Sequence, residues 1–250
     1  MASIVLIRWR NGRPYEELRG GGTLITSTYE YSTIITAGST LRYFEANNIS
    51  PEDVRIRFNS EYWNECHCGV FEDSNVAKWQ LHSQYYEDTL PFLTTYSYHD
   101  IGLIAIRKEG AGFRWRTRLN LTFPNVPLDS IKPFALGWGW SKDTEEVHKE
   151  LRKISNLKII SHERCQQIYQ GHLPANAFCV ESHTRGGAAP CPYDQGGPLL
   201  WDYKYQTYLI GIMSTTPRCI DPDYPPIITN SSRYIDFIQN TTWLYNKTIF

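Results

Sequence analysis

Histidine is the side chain best suited to acid–base chemistry near neutral pH, and the chain contains seven histidines. His99 directly precedes Asp100, but neighbouring residues on a strand point to opposite faces, so we do not expect the two side chains in one site. The other six lie in loop-like or strand-end sequence, where a surface position is the favoured interpretation: His67, His82, His148, His162, His172 and His183.

Motifs for other common chemistries are absent from the sequence. There is no H-E-x-x-H zinc motif, no P-loop and no Rossmann glycine pattern. A strand-like run follows Gly20–Gly22, which makes this segment a poor phosphate loop. In the segment ECHC, a disulfide between Cys66 and Cys68 or two loop thiols is the favoured interpretation. A metal site with His67 lacks further spaced ligands, and intermolecular pairing is the third alternative. We expect no metal and no cofactor.

Three arginines that alternate along residues 114–118 form a candidate anion-binding surface. In an extended segment Arg114, Arg116 and Arg118 share one face, which suits a sulfated glycan or a carboxylate-rich partner. A connector whose arginines pair locally is the favoured alternative. The formal net charge of −1 argues against nucleic-acid binding through bulk charge. No apolar run approaches the roughly 20 residues that span a bilayer.

The pattern of elements predicts an all-β fold. At 250 residues and 41% hydrophobic composition, the chain can bury a large core. Short runs typical of strands recur between turn-forming residues: 3–9, 33–37, 54–58, 76–81, 101–107, 133–138, 208–214 and 227–229. A helical pattern covers 162–169, with Ser161 as N-cap, and another covers 232–245. Residues 110–129 form a connector between two β-rich halves.

Six segments, taken in chain order, resemble the chymotrypsin-like (trypsin-fold, S1 family) serine proteases. They are GGGTLI (20–25), IITAGST (34–40), HDIGLIAI (99–106), ALGWGW (135–140), CPYDQGGPLL (191–200) and LIGIMS (209–214). The matches span nearly the whole chain at family-like spacing. The resemblance implies one domain over residues 1–250, built from two six-stranded antiparallel β-barrels with a cleft between them. The first barrel would occupy about 1–110, the second about 130–230, and a terminal helix about 232–246.

The resemblance also assigns the catalytic positions, and two of the three carry the wrong chemistry. In these enzymes a serine oxygen attacks the carbonyl, a histidine takes its proton, and an aspartate orients the imidazolium. Asp100 keeps the aspartate. Ser39 stands at the histidine position, where a hydroxyl cannot act as a base near neutral pH. Gln195 stands at the nucleophile position, where an amide supplies no useful nucleophile. We therefore expect a degenerate protease that is not an enzyme.

The surroundings of these positions depart from the family in the same direction. Tyr193 occupies an oxyanion-hole position that is usually glycine; a positive φ there would cost a tyrosine on the order of 1–3 kcal/mol, or the loop would rearrange. Ala189, at the pocket floor, offers no carboxylate to a Lys or Arg side chain. Thr216 and Pro226 replace the two wall glycines and should narrow the opening, and Thr215 replaces the aromatic residue before the first of them. We expect a damaged substrate cleft.

The remaining family features are cysteine pairs and an activation carboxylate. The resemblance implies the disulfides Cys165–Cys179 and Cys191–Cys219, each worth about 3 kcal/mol in the chain-entropy model. The usual pair near the histidine is replaced by Gly20 and Thr40.

Asp194 matches the carboxylate that, in active relatives, pairs with a newly cut N-terminus. The chain begins at a segment resembling a strand beyond that cut, so we expect the activation segment and the signal to be missing from it. Asp194 is then expected to face solvent or to be hydrogen-bonded in a zymogen-like loop.

Five N-x-S/T acceptors, against roughly two expected by chance, favour a secreted glycoprotein. They are Asn48, Asn120, Asn230, Asn240 and Asn246. Six cysteines agree with an oxidising compartment.

The sequence thus predicts an inactive serine protease homologue that binds a protein, either a protease or its substrate, as a cofactor, adaptor or decoy outside the cell. The alternatives are a weakly active or altered hydrolase and an intracellular degenerate remnant.

Overall fold

The computed structural model describes residues 1–27, 30–58, 60–64, 72–89, 95–107, 119–122, 124, 126–141, 146–216 and 223–241. Within these ranges the protein is mostly β-strand, as the alternating and turn-rich sequence predicts. No helix among them is long and apolar enough to cross a membrane. The ECHC segment and the arginines of 114–118 lie outside these ranges.

The first barrel closes through six antiparallel strands. They are β1 (Ala2–Arg10), β2 (Arg13–Ser27), β3 (Tyr31–Thr36), β4 (Val54–Phe58), β5 (Glu72–Leu81) and β8 (Gly102–Arg107), hydrogen-bonded in the order β1-β2-β3-β8-β5-β4. Apolar side chains at alternating positions point inward, because successive residues of a strand face opposite sides. Ile4, Leu6, Ile34, Ile56 and Ile104 are fully buried in this core.

The second barrel is nearly closed. A seven-stranded sheet runs in the order β12-β9-β15-β16-β17-β14-β13. Its strands are β9 (Phe134–Gly137), β12 (Arg152–Ile154), β13 (Leu157–Ile160), β14 (Ala177–Ser182), β15 (Pro198–Tyr203), β16 (Gln206–Met213) and β17 (Ile227–Asn230). The two edge strands β12 and β13 are consecutive in the chain and are separated near Asn156, whose φ of 63° breaks the extended backbone. When β12 and β13 are counted as one bent strand, the seven-stranded sheet has the six strands that the resemblance implies.

Short hairpins and helices complete the fold. The hairpins pair β6 (Tyr86–Thr89) with β7 (Thr95–Tyr98) and β10 (Trp140–Ser141) with β11 (Glu146–Val147). Helix α2 (His162–Ile168) begins as predicted, since the Ser161 side chain accepts a hydrogen bond from the Arg164 N–H. Helix α1 (Gly38–Ala46), which no sequence pattern predicted, follows β3 and buries Leu41 and Phe44.

The terminal helix is shorter than the predicted 232–246. A 3₁₀ turn over Ser231–Tyr234 leads into α3 (Ile235–Gln239), and Asn240 ends the helix. The N–H of Thr241 reaches the carbonyl of Ile238, three residues back, so the last turn tightens and does not propagate. Residues 242–246 lie outside the described part of the chain.

The two barrels share one hydrophobic cluster. Ile35 and Leu103 from the first barrel pack with Leu200 and Leu209 from the second, and Tyr234 near α3 joins them. This shared core fixes the edges that face each other between the barrels, where the candidate site lies.

Candidate active site

Asp100 is held from both barrels. The backbone N–H of Ser39, in the first turn of α1, donates to Asp100 Oδ1 over 2.6 Å, and the Ser39 hydroxyl donates to Oδ2 over 3.2 Å. From the second barrel, the Ser214 hydroxyl donates to Oδ2 over 2.5 Å, and the Thr229 hydroxyl donates to the Asp100 carbonyl. The carboxylate is buried, with only 1% of the residue exposed. The structure therefore brings into contact Ser39 and Asp100, two of the positions that the resemblance assigns to the triad.

The surroundings of Asp100 act on its protonation in two directions. Burial raises the pKa of the carboxyl, while hydrogen bonds from Ser214 and Ser39 lower it, and the net direction is upward. No histidine side chain donates to this carboxylate within the described residues. Neither Ser214 nor Thr229 was predicted as a site residue, although Ser214 ends the family-like LIGIMS segment.

His99 does not join Asp100, but the reason differs from the one expected. It lies in a turn with φ of 49° and not on a strand. Its ring stacks on His82, with ring centroids 4.9 Å apart, and its Nδ1 lies 3.2 Å from the Tyr234 hydroxyl. His82, expected at the surface, is half-buried, and its ring also packs against Tyr234 and Phe237. Burial lowers the pKa of both histidines.

The loop around Gln195 combines a strained residue with two backbone N–H groups that have no described acceptor. Tyr193 adopts φ of 73°, a left-handed conformation that is strained for a tyrosine. The Gln195 carbonyl accepts a hydrogen bond from the Gly21 N–H over 2.7 Å, which fastens the loop to β2. Within the described chain, the backbone N–H groups of Tyr193 and Gln195 donate to no protein acceptor. Among the described residues, these two donors therefore have no acceptor, as a site for a negatively charged oxygen would require.

Asp194 is buried beneath this loop. Its two oxygens accept hydrogen bonds from the N–H groups of Gly139 at 2.7 Å and Cys191 at 2.9 Å. A Cβ at Gly137 or Gly139 would collide with the carboxylate, so both glycines are needed for this approach. Burial raises its pKa to about 6. The solvent-facing alternative is therefore wrong, and the hydrogen-bonded one agrees with the structure; no cation pairs with Asp194 among the described residues.

The positions assigned to the substrate pocket do not share one cavity. Ala189 and Pro226 line a cavity of about 360 Å³. Thr215 and Thr216, both 7% exposed, are not among the described residues that line it. The Thr215 carbonyl accepts a hydrogen bond from the Ile227 N–H over 2.8 Å, so this wall is tied to β17.

The cysteines of the second barrel follow the family pattern where the structure describes them. Cys165 and Cys179 form a disulfide with a Cα–Cα distance of 6.0 Å. Cys191 is also disulfide-bonded, while its expected partner Cys219 lies outside the described residues. No group of three or more His, Cys, Asp or Glu side chains in the described part of the chain could hold a metal ion.

Gly20 and Thr40 face each other where the missing disulfide would lie. A Cβ at Gly20 would stand 3.5 Å from the Thr40 hydroxyl oxygen. It would also stand 2.5 Å from the Gln195 carbonyl oxygen, and Gly20 has φ of 151°. A cysteine at residue 20 is therefore incompatible with this backbone.

The predicted glycosylation acceptors differ in accessibility. Asn48 and Asn240 are exposed, and Asn120 is half-buried. The Asn230 side chain accepts hydrogen bonds from Ser232 and caps the 3₁₀ turn. Asn246 lies beyond the described residues.

Comparison with known proteins gives a consistent assignment. The Trypsin family model matches residues 7–238. The proclotting enzyme of Tachypleus tridentatus is 28% identical over 227 residues, covering 87% of this chain and 57% of that protein. Hypodermin-A of Hypoderma lineatum is 27% identical, covering 89% and 76%, and the clotting factor G beta subunit of Tachypleus tridentatus is 27% identical, covering 58% and 51%. The chain thus spans little more than half the length of these clotting relatives. With its two barrels and its buried Asp100 between them, the chain belongs to the trypsin family of serine proteases.

Proposed function

We propose that this trypsin-family domain is catalytically inactive and acts by binding proteins in an extracellular proteolytic pathway. One observation carries the proposal: the side chain that engages Asp100 from the histidine position is the Ser39 hydroxyl. A hydroxyl cannot accept the proton of an attacking nucleophile near pH 7, and Gln195 offers no such nucleophile. Loss of either group in a triad costs on the order of 10⁶ in turnover.

The buried hydrogen bonds around residues 39 and 195 are retained, which favours a binding role over a domain that is losing its structure. Asp100 keeps donors from both barrels, and Asp194 keeps two backbone donors. A domain that retains its buried polar contacts can present a fixed surface to a partner.

The pathway and compartment are supported by the relatives and by the cysteines. Two relatives carry names that place them in clotting, which supports protein partners that are proteases or their substrates. The Cys165–Cys179 disulfide agrees with secretion, since such bonds persist in oxidising compartments. A mass shift after N-glycosidase treatment of native material would support secretion, and an unmodified mass would favour the intracellular remnant.

A weakly active hydrolase is the second candidate, and the open loop favours it. The N–H groups of Tyr193 and Gln195 remain without protein acceptors in the described chain, and φ at Tyr193 stays positive. An oxyanion hole with substrate binding can alone supply roughly 10³–10⁴-fold acceleration over water.

Labelling with a fluorophosphonate probe separates the two. This probe needs an activated nucleophile, so we expect no adduct on the domain at high protein concentration, with an active trypsin-family enzyme labelled in parallel. A stoichiometric adduct would refute inactivity. Slow turnover of an activated ester without an adduct would support the weak hydrolase.

A further inference from the structure

The first two strands extend beyond the barrel as a two-stranded arm, residues 7–17. Strand β1 pairs with β4 only over residues 3–6, and β2 pairs with β3 only over residues 23–27. Beyond Leu6, among the residues that the structure describes, the two strands pair only with each other, and Arg10 stands opposite Arg13. Asn11 and Gly12 have φ of 52° and 75°, as a two-residue type I′ turn requires. The arm therefore carries strand edges that neither β4 nor β3 covers.

The base of the arm is fixed by ion pairs that engage its carboxylates. Glu16 accepts two hydrogen bonds from Arg57, at 2.7 and 3.0 Å, and Arg57 also binds Asp73 through two bonds of 2.8 Å. Glu17 pairs with Arg19 and, over 3.6 Å, with Arg8. Both acidic residues of the arm are thus committed at its base.

The tip keeps positive charge without a described acidic partner. Arg10 and Arg13 are exposed and lie directly opposite each other, an arrangement in which like charges repel. No carboxylate in the described part of the chain pairs with either one. Tyr15 shares their face by alternation and is 44% exposed.

On the opposite face, the tip of the arm is apolar. Trp9 pairs across the hairpin with Pro14, and Trp9 is 68% exposed. Because alternate residues of a strand point to opposite sides, the basic pair and Trp9 lie on different faces. Exposed Trp, Tyr and Arg are the residue types that dominate protein interfaces.

We propose that this arm binds an extended acidic segment of a partner protein, which adds as a strand to the edge of β1 beyond Leu6, where no described strand pairs; the edge of β2 is less suitable because Pro14 has no backbone N–H to donate. Side chains of an added strand alternate between the two faces, so a sequence alternating carboxylate and apolar residues would meet Arg10 and Arg13 on one side and Trp9 on the other. A sulfated glycan would satisfy only the basic face. The inference rests on the proposed binding function and names the surface and the chemistry of its partner.

The test uses fluorescence anisotropy with a labelled, end-blocked (Glu-Val)₄ peptide. We expect binding that weakens as salt rises, and no comparable binding of (Lys-Val)₄. Arg10→Glu/Arg13→Glu should weaken affinity at least tenfold, and Trp9→Ser should weaken it severalfold. The matched control Arg152→Glu/Arg233→Glu changes the net charge equally at two exposed arginines of the second half of the chain and should leave affinity unchanged.

Three outcomes would overturn the proposal. The first is that the wild-type domain does not bind the peptide, and the second is that the control double variant loses as much affinity as Arg10→Glu/Arg13→Glu. The third is that Trp9→Ser leaves the peptide affinity unchanged while Arg10→Glu/Arg13→Glu loses binding to heparin, which would indicate a site for sulfated glycans. Thermal melts identify variants that do not fold. If the fluorophosphonate adduct stays absent while the peptide fails to bind, only the arm proposal fails; a stoichiometric adduct refutes inactivity whatever the peptide does.

Discussion

Under the proposed function, placing a histidine at residue 39 and a serine at residue 195 should produce nucleophilic chemistry only when both are present. The backbone and hydroxyl of Ser39 already reach both oxygens of Asp100, so a histidine at residue 39 starts beside its orienting carboxylate. Gln195 lies in a loop with two available N–H donors. We therefore expect Ser39→His/Gln195→Ser to become reactive.

The expected magnitude follows from the cooperativity of a triad. Removing serine or histidine alone costs about as much as removing the whole triad, on the order of 10⁶ in turnover. Each single variant should therefore gain less than about tenfold over wild type, and the double variant should gain on the order of 10³, which is about 4 kcal/mol of transition-state stabilisation. The gain should stay below 10⁶ because Tyr193 holds a strained positive φ and because Thr216 and Pro226 occupy positions that the resemblance assigns to wall glycines.

The assay is the rate of fluorophosphonate labelling, followed by hydrolysis of p-nitrophenyl acetate, a small ester that needs no side-chain pocket. Peptide amides with Lys or Arg before the scissile bond should remain near the wild-type rate, because Ala189 supplies no carboxylate. Two results would contradict this reasoning: Gln195→Ser alone labelled as fast as the double variant, or strong peptidase activity in the double variant. A folded double variant that is never labelled would show that residues 39 and 195 are wrongly placed.

Three further predictions concern stability, measured by urea unfolding. Arg57→Met should lower the free energy of unfolding by about 3–5 kcal/mol, because it removes the buried cation that pairs with Glu16 and Asp73. Arg42→Met, at an exposed ion pair, should lower it by less than about 1 kcal/mol. Equal losses in the two variants would contradict this expectation. Burial raises the pKa of Asp194 to about 6, so the stability contributed by the protonated carboxyl is complete below pH 3.8 and is lost as pH rises through 6. The free energy of unfolding of wild type, relative to that of Asp194→Asn, should therefore fall by about 1 kcal/mol from pH 5 to pH 7. A difference between the two proteins that does not change with pH would contradict this. Burial lowers the pKa of His82 and His99, so as pH drops below about 6.5 the unfolded chain binds protons before the folded one and the free energy of unfolding falls. His82→Phe should make this fall less steep. An unchanged dependence of stability on pH would refute the burial of His82 as its cause.

Much of the fold could be predicted because its signals are local. Strand β4 was predicted with its observed bounds, and α2 with its Ser161 cap, since alternation and capping depend on residues close in sequence. The helix α1 was missed, and the terminal helix was predicted too long, because Leu41, Phe44 and Ile238 are helical partly through the cores they enter.

In the candidate site, too, some properties follow from residue identity and others only from the tertiary structure. Residue identity alone determined what chemistry Ser39, Gln195 and Ala189 can offer, since no folding gives an amide a nucleophilic oxygen. Only the tertiary structure decided that Asp194 is buried on two backbone N–H groups, and that His99 turns away to stack on His82. These outcomes depend on groups distant in the chain and on whether water is excluded, because solvation and long-range contacts are properties of the packed molecule and not of a local sequence pattern.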